Sequence, residues 1–228
     1  MNPKPIRQLV LMMLALAFIS ALSASGQVTL SGTNYTQNFN AISNGLPLGW
    51  SVRTNATATS LGTAAPFNAT NVSWGTATGQ FANGAGTTNN SSVAAAGNES
   101  STQQSAFTNR CPCIRQTASF GDPGAAFVFQ IANTIGFNNL TFSLDLNLLH
   151  TNNNSTKWTI DYAVGNVPVV FTPLGTNSDP GVFGTTNRSF ALGTDADNQT
   201  NNVWIRVVAL SAAIGGGSRE TFGIDNFD

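Results

Sequence analysis

The stretch Phe142-Ser143-Leu144-Asp145-Leu146-Asn147-Leu148 alternates apolar and polar residues without a break. A period of two is the signature of a strand with one buried and one wetted face. Three more stretches follow the same rule. Phe127, Phe129 and Ile131 alternate with Val128 and Gln130; Trp158, Ile160, Tyr162 and Val164 alternate with Thr159, Asp161 and Ala163. Val203, Ile205, Val207 and Ala209 alternate with Trp204, Arg206, Val208 and Leu210, so this segment is apolar on both faces and reads as a central strand. Turn signals separate them at Gly121-Asp122-Pro123-Gly124, Thr151-Asn152-Asn153-Asn154, Asp179-Pro180-Gly181 and Gly215-Gly216-Gly217.

Shorter strands are expected near 35–39, 48–53, 110–117, 169–174 and 221–227. No stretch beyond the N-terminus carries a helical period. About ten strands punctuated by turns predict an all-β fold, an antiparallel two-sheet β-sandwich of the jelly-roll kind. Residues 54–105 are rich in Ala, Thr, Asn, Gly and Ser and are expected to form long loops with one or two weak strands.

Composition agrees. Only 8% of the 228 residues are charged, yet the mean hydropathy is +0.01, so Asn, Thr, Ser and Gly must supply the polar surface. Scarce Lys and Glu disfavour helices. The N-terminus has Lys4 and Arg7, an apolar run over Leu9–Leu22, and small residues at Ala24 and Gly26. This is the pattern of a signal peptide cleaved after Gly26; the run is shorter than the ~20 residues a spanning helix needs. The expectation is a secreted protein with a leader at 1–26 and one domain at 27–228. Removing the leader leaves 7 basic against 10 acidic residues, a net charge of −3. No basic patch of the kind nucleic acids require is present, and no second apolar segment predicts membrane insertion. The Asn-x-Ser/Thr triplets at Asn55, Asn68, Asn71 and Asn198 are expected from composition alone.

Catalytic patterns are sparse. His150 is the single histidine, and no Gly-x-Ser-x-Gly elbow accompanies it. Glutamates occur only at Glu99 and Glu220. Asp145 and Asp161 lie on outer strand faces and would suit a carboxylate pair if their strands were neighbours. Asp195-Ala196-Asp197-Asn198 spaces oxygen ligands as calcium loops do, but lacks the Gly and distal Glu, and reads as a polar turn. Gly215-Gly216-Gly217 lacks the Lys-Ser/Thr of a phosphate loop and reads as a hairpin turn. Cys111 and Cys113 flank one proline. Neighbouring strand positions point to opposite faces, and a bond here needs a strained tight ring. A strained redox-active bond, two free thiols and an intermolecular link stay open, with an incidental structural role as the leading expectation. Two sulfurs alone do not make a zinc site. For a glycan ligand, Trp204 and Arg206 on one strand face and Trp74 in the loop-rich half are the candidate contacts, set against a packing role that aromatics also fill.

Tyr35-Thr36-Gln37-Asn38-Phe39-Asn40, Gly45-Leu46-Pro47-Leu48-Gly49-Trp50 and Thr221-Phe222-Gly223-Ile224-Asp225-Asn226-Phe227 together resemble the opening and closing strands of secreted bacterial jelly-roll modules. Asn109-Arg110 and Gly124–Phe129 resemble the strand pair between them. Cys111-Pro112-Cys113 departs from that pattern. Such modules are similar to carbohydrate-binding and adhesion-type domains exported by Bacteroidetes-like bacteria. The resemblance implies a non-catalytic extracellular module for a glycan or cell-surface component, and a structural Ca²⁺ held by Asp225 and Asn40. A structural or matrix role and a secreted hydrolase are the alternatives.

Overall fold

The computed structural model describes residues 26–32, 34–74, 76–86, 102, 105–150, 154–178, 184–213 and 215–228. The leader reading, Glu99 and the predicted turns at 151–153 and 179–181 lie outside the described residues.

Among the described residues twelve strands follow one another: β1 (Trp50–Thr54), β2 (Thr63–Ala64), β3 (Phe67–Asn71), β4 (Gln80–Ala85), β5 (Arg110–Thr117), β6 (Ala126–Ile131), β7 (Thr141–His150), β8 (Lys157–Val164), β9 (Thr172–Ser178), β10 (Gly184–Ala191), β11 (Val203–Val208) and β12 (Ser218–Asp225). They form two six-stranded sheets. Sheet I has the order β2-β1-β6-β11-β8-β9, and sheet II the order β10-β7-β12-β5-β4-β3. From β5 to β8 successive strands alternate between the sheets, and β10, β11 and β12 do so again. All pairings are antiparallel except β3 with β4.

The alternation read from the sequence is the alternation of the sandwich. Phe142, Leu144 and Leu146 of β7 point inward. They meet Phe127, Phe129, Trp158, Ile160, Val203, Ile205 and Val207 from sheet I in one buried cluster. Fully burying such side chains stabilises the fold by about 1.5–3 kcal/mol each. At one end Trp50 stacks on Phe129 with centroids 4.9 Å apart, and Phe227 meets Trp50 edge-on at 5.1 Å. At the other, Trp158 stacks on Phe222 at 4.3 Å. β11 is central, flanked by β6 and β8 as its two apolar faces require.

Three local expectations change. The described part of residues 54–105 contains three strands, and β4 lies inside sheet II between β5 and β3. The segment 35–39 is no strand: it makes only the single bridge Gln37–Phe227. Gln37 Oε1 accepts the Phe39 N–H at 2.8 Å, and Phe39 turns left-handed with φ of 54°. The strand expected at 169–174 begins later, at Thr172: Val169 and Val170 are exposed in the connection from β8, and Phe171 lies against the Arg206 guanidinium.

Candidate functional site

Trp204, Arg206 and Trp74 are all buried. Trp204 is 5% exposed, Arg206 0% and Trp74 0%. None of the three offers a ring or guanidinium face to solvent. Trp204 packs with Ala56, Ala126, Val128 and Val208 on the outer face of sheet I, and its indole N–H donates to the Gly165 carbonyl at 2.7 Å. Arg206 beside it grips Asp161 with two parallel bonds of 2.7 Å. It also donates to the carbonyls of Thr57 and Ser60, at 3.1 and 2.8 Å, and its guanidinium lies 3.4 Å from the centre of the Phe171 ring. The segment after β1 is thereby pinned across this face. Burial raises the Asp161 carboxyl above the ordinary carboxylate value, opposed by Arg206. Trp74 covers the outer face of sheet II with Val72, Ala82, Leu149 and the two cysteines.

The carboxylates do not converge. Asp161 belongs to β8 in sheet I and Asp145 to β7 in sheet II. Both point outward, so the thickness of the sandwich separates them. His150 closes β7, and its side chain lies outside the described residues. Asp195, Asp197 and Asn198 spend their oxygens on structure: the Tyr162 hydroxyl donates to Asp195, while Asp197 and Asn198 accept from the Asn139 and Gly136 N–H groups at 2.9 Å.

The outer face of β7 and β10 is different: Thr185, Asn187 and Ser189 of β10 are exposed, Ser143 and Asp145 of β7 are half-buried, and Asn147 is buried beneath them. Cross-strand register places Thr185 opposite Asn147, Asn187 opposite Asp145 and Ser189 opposite Ser143. Asn187 Nδ2 donates to Asp145 Oδ1 and Asn226 Nδ2 to Asp145 Oδ2, each at 2.8 Å. Thr185 donates to Asn147 Oδ1 at 2.8 Å. Both lone-pair edges of the carboxylate are thus held by amides, and its plane is fixed between two exposed asparagines. No stretch of sequence signals this ladder, because β10 carries no apolar alternation.

Asp225 and Asn40 sit at one corner of sheet II. Gln37 and Phe227 exchange backbone hydrogen bonds of 2.8 and 2.9 Å, bringing the opening segment beside the end of β12. Asn40 Oδ1 accepts the Arg110 N–H at 2.8 Å. Asp225 Oδ1 accepts the Asn226 N–H at 2.8 Å, while its Oδ2 is buried without a hydrogen-bond partner. Burial pushes the Asp225 carboxyl up to about 7, with nearby Asp145 adding to it and Asn226 and Asn109 opposing. An orphaned carboxylate oxygen fits a hard cation, and Asn40 Oδ1 keeps a second lone pair. Among the described residues no three His, Cys, Asp or Glu side chains group to hold a metal ion, so other donors would have to be amides, carbonyls or water.

A cavity of about 90 Å³ opens at the aromatic end, lined by Tyr35, Phe129, Phe137, Phe142, Asn34 and Asp228 among others. Ordinary ligand pockets hold roughly 300–1,000 Å³.

Fold and site define an all-β sandwich module whose exposed chemistry is amide, hydroxyl and carboxylate. No protein-family model matches the chain, and no curated protein matches it. Among solved structures it is similar to the K1 cleaved adhesin domain of Lys-gingipain from Porphyromonas gingivalis W83. That match has a TM-score of 0.46 and 13% identity, over 86% of this chain and 96% of that one. It is also similar to a xylan-binding domain from CBM 22, with a TM-score of 0.43 and 10% identity over 86% and 93% of the two chains. A third is the C-terminal family 22 carbohydrate-binding module of Clostridium thermocellum Xyn10B, with a TM-score of 0.42 and 10% identity over 90% and 93%.

Proposed function

We propose that this chain is a non-catalytic extracellular binding module for a glycan or another polar surface component, exported by its N-terminal leader. No helix among the described residues is long and apolar enough to cross a membrane. The observation that carries the reading is the exposed Asn187–Asp145–Asn226 ladder. Sugar hydroxyls donate and accept in pairs. A carboxylate and amides held rigid at fixed spacing meet them without first losing side-chain entropy. Thr185 and Ser189 extend the same polar row along β10. Trp204, Arg206 and Trp74 support the module from inside its walls.

A Ca²⁺ at Asp225 Oδ2, with Asn40 as a second donor, is the cofactor this reading proposes. It would neutralise a buried carboxylate and tie the opening segment to β12.

The test is a polysaccharide pulldown and glycan array on the full chain, in calcium and in chelator. The comparison is with Asp145→Ala/Asn187→Ala. The expected result is retention by at least one polysaccharide and about a tenfold loss in the double variant, since a hydrogen bond to a charged group contributes about 1.5–3 kcal/mol. Failure of the folded chain to bind any glycan refutes the glycan reading. Unchanged binding by the variant removes the ladder as its site.

A second reading rests on the edges. β10 is an eight-residue edge strand, mostly exposed, with one charged residue, Arg188. Such an edge is a template for pairing with another chain, which suits a structural or matrix protein. Concentration-dependent assembly abolished by Thr186→Pro would favour it.

A further inference from the structure

Cys111 and Cys113 are two residues apart on β5, so the strand period puts both side chains on the same face. The expectation that they point apart is corrected here: their sulfurs lie 2.7 Å from each other, both thiols free and fully buried. Two residues of strand span about 6.6–6.8 Å, the upper end of the Cα separations that disulfides bridge. The Cys113 thiol also reaches back to the Cys111 carbonyl at 3.2 Å.

The neighbouring strands are built around this pair. Gly84 of β4 stands opposite Cys111, and Gly223 of β12 stands opposite Cys113. A Cβ on Gly84 would come within 2.5 Å of Cys113 Sγ, and one on Gly223 within 2.8 Å of both sulfurs. Glycine weakens a strand interior unless something must approach it closely, and here the sulfurs do so from both sides. Trp74 closes the socket. Its fully buried indole N–H has no hydrogen-bond partner, and it lies 3.1 Å from the same Gly84 Cβ position that Cys113 Sγ crowds.

We propose that Cys111 and Cys113 form an intrachain disulfide across Pro112, seated in the Gly84–Gly223 socket under Trp74. The oxidant is an external disulfide, of the glutathione or protein class that an exported chain meets. One cysteine attacks it as thiolate and releases one thiol. The second cysteine then attacks the mixed disulfide and releases the other. The two cysteines lose two protons and two electrons to one S–S bond, and the external disulfide is reduced to two thiols. Burial pushes the Cys111 thiol well above its ordinary value. Thiolate is therefore scarce once the socket has closed, and exchange belongs to the open chain. The closed bond is then shielded from reductant, and neither sulfur is left to pair with a second chain.

The full chain, denatured and reduced in urea, is diluted into a mixture of reduced and oxidised glutathione. Folding is followed by tryptophan fluorescence. Iodoacetamide is then added in fresh denaturant and the intact mass is measured. The expected product is a monomer lighter than the reduced chain by two hydrogens, carrying no carbamidomethyl group. It becomes alkylatable by a mild thiol only after unfolding. Two carbamidomethyl groups, glutathione adducts or disulfide-linked dimers in the folded fraction would each overturn the proposal. If the chain fails to refold, the same alkylation on protein purified without reductant, with Cys111→Ser as the one-thiol control, gives the same reading.

Discussion

Replacing Arg206 with Met tests whether this residue is wall or ligand contact. The guanidinium contributes two 2.7 Å bonds to Asp161 and two to the carbonyls of Thr57 and Ser60. Its removal leaves Asp161, 1% exposed, as an uncompensated charge. Breaking one partner of a buried pair costs about 3–5 kcal/mol. For a domain of this size each kcal/mol lowers Tm by roughly 2–4 °C, so the midpoint should fall by roughly 6–20 °C. Adding Asp161→Leu removes the orphaned charge and should restore most of the loss. A shortfall of about 1–3 kcal/mol should remain, because the Thr57 and Ser60 carbonyls lose their charged donor and keep only each other's N–H groups. The pH dependence separates this from a simple packing defect. Burial already raises the Asp161 carboxyl and Arg206 opposes that rise; in Arg206→Met only the raising cause remains. A carboxyl whose folded pKa lies above its unfolded one stabilises the fold fully below the unfolded value, and that stability is lost as pH rises through the folded pKa. The variant should therefore be stronger near pH 5 than near pH 8, and the double variant should lose that slope. Urea denaturation at both pH values measures it. A cost under about 1 kcal/mol, additive single effects or an unchanged pH slope would refute the reasoning. Per folded molecule, glycan binding by Arg206→Met should match the parent.

Other predictions follow from the same geometry. Gly84→Ala should destabilise the fold by about 1–3 kcal/mol, the range for overpacking, and Cys113→Ala added to it should recover most of that, since the new methyl and the sulfur claim one space; a double-mutant cycle in urea reads the coupling, and additivity counts against the socket. Calcium should raise the parent's melting temperature relative to chelator, and Asp225→Asn should erase the difference; equal melting of the parent in both removes the cation. Phe129→Ala should cost about 3–5 kcal/mol, because this ring touches Tyr35, Trp50 and Phe227 at once; a loss near 1 kcal/mol in chemical denaturation would mean that the aromatic end collapses to refill the space.

Strands are legible in a sequence when both faces of the sheet leave a chemical mark. β7 alternates because one face is core and the other carries polar side chains, and β11 is apolar on both faces apart from Arg206 because segments cover it on both sides. β10 leaves no such mark. It is an edge strand whose inward residues include Thr186 and Arg188, so the period of two has no hydrophobic amplitude, and the polar ladder it forms with β7 leaves no mark in the sequence for the same reason. β4 was hidden differently. Gln80-Phe81-Ala82-Asn83-Gly84-Ala85 reads as loop because its small residues are required by neighbours outside the stretch, the sulfurs of β5 and the indole of Trp74. The placement of Trp204 and Arg206 on one shared face was visible, but what lies over that face was not. The carbonyls that fill Arg206 come from Thr57 and Ser60, 149 and 146 residues away. Whether an outer strand face is a binding platform or a second interior depends on which loop crosses it. A charged residue flanked by Trp and Val on the outer face of a central strand is itself the clue, because a guanidinium desolvated among apolar neighbours needs a carboxylate and further acceptors to repay that cost, and the crossing segment supplies the acceptors.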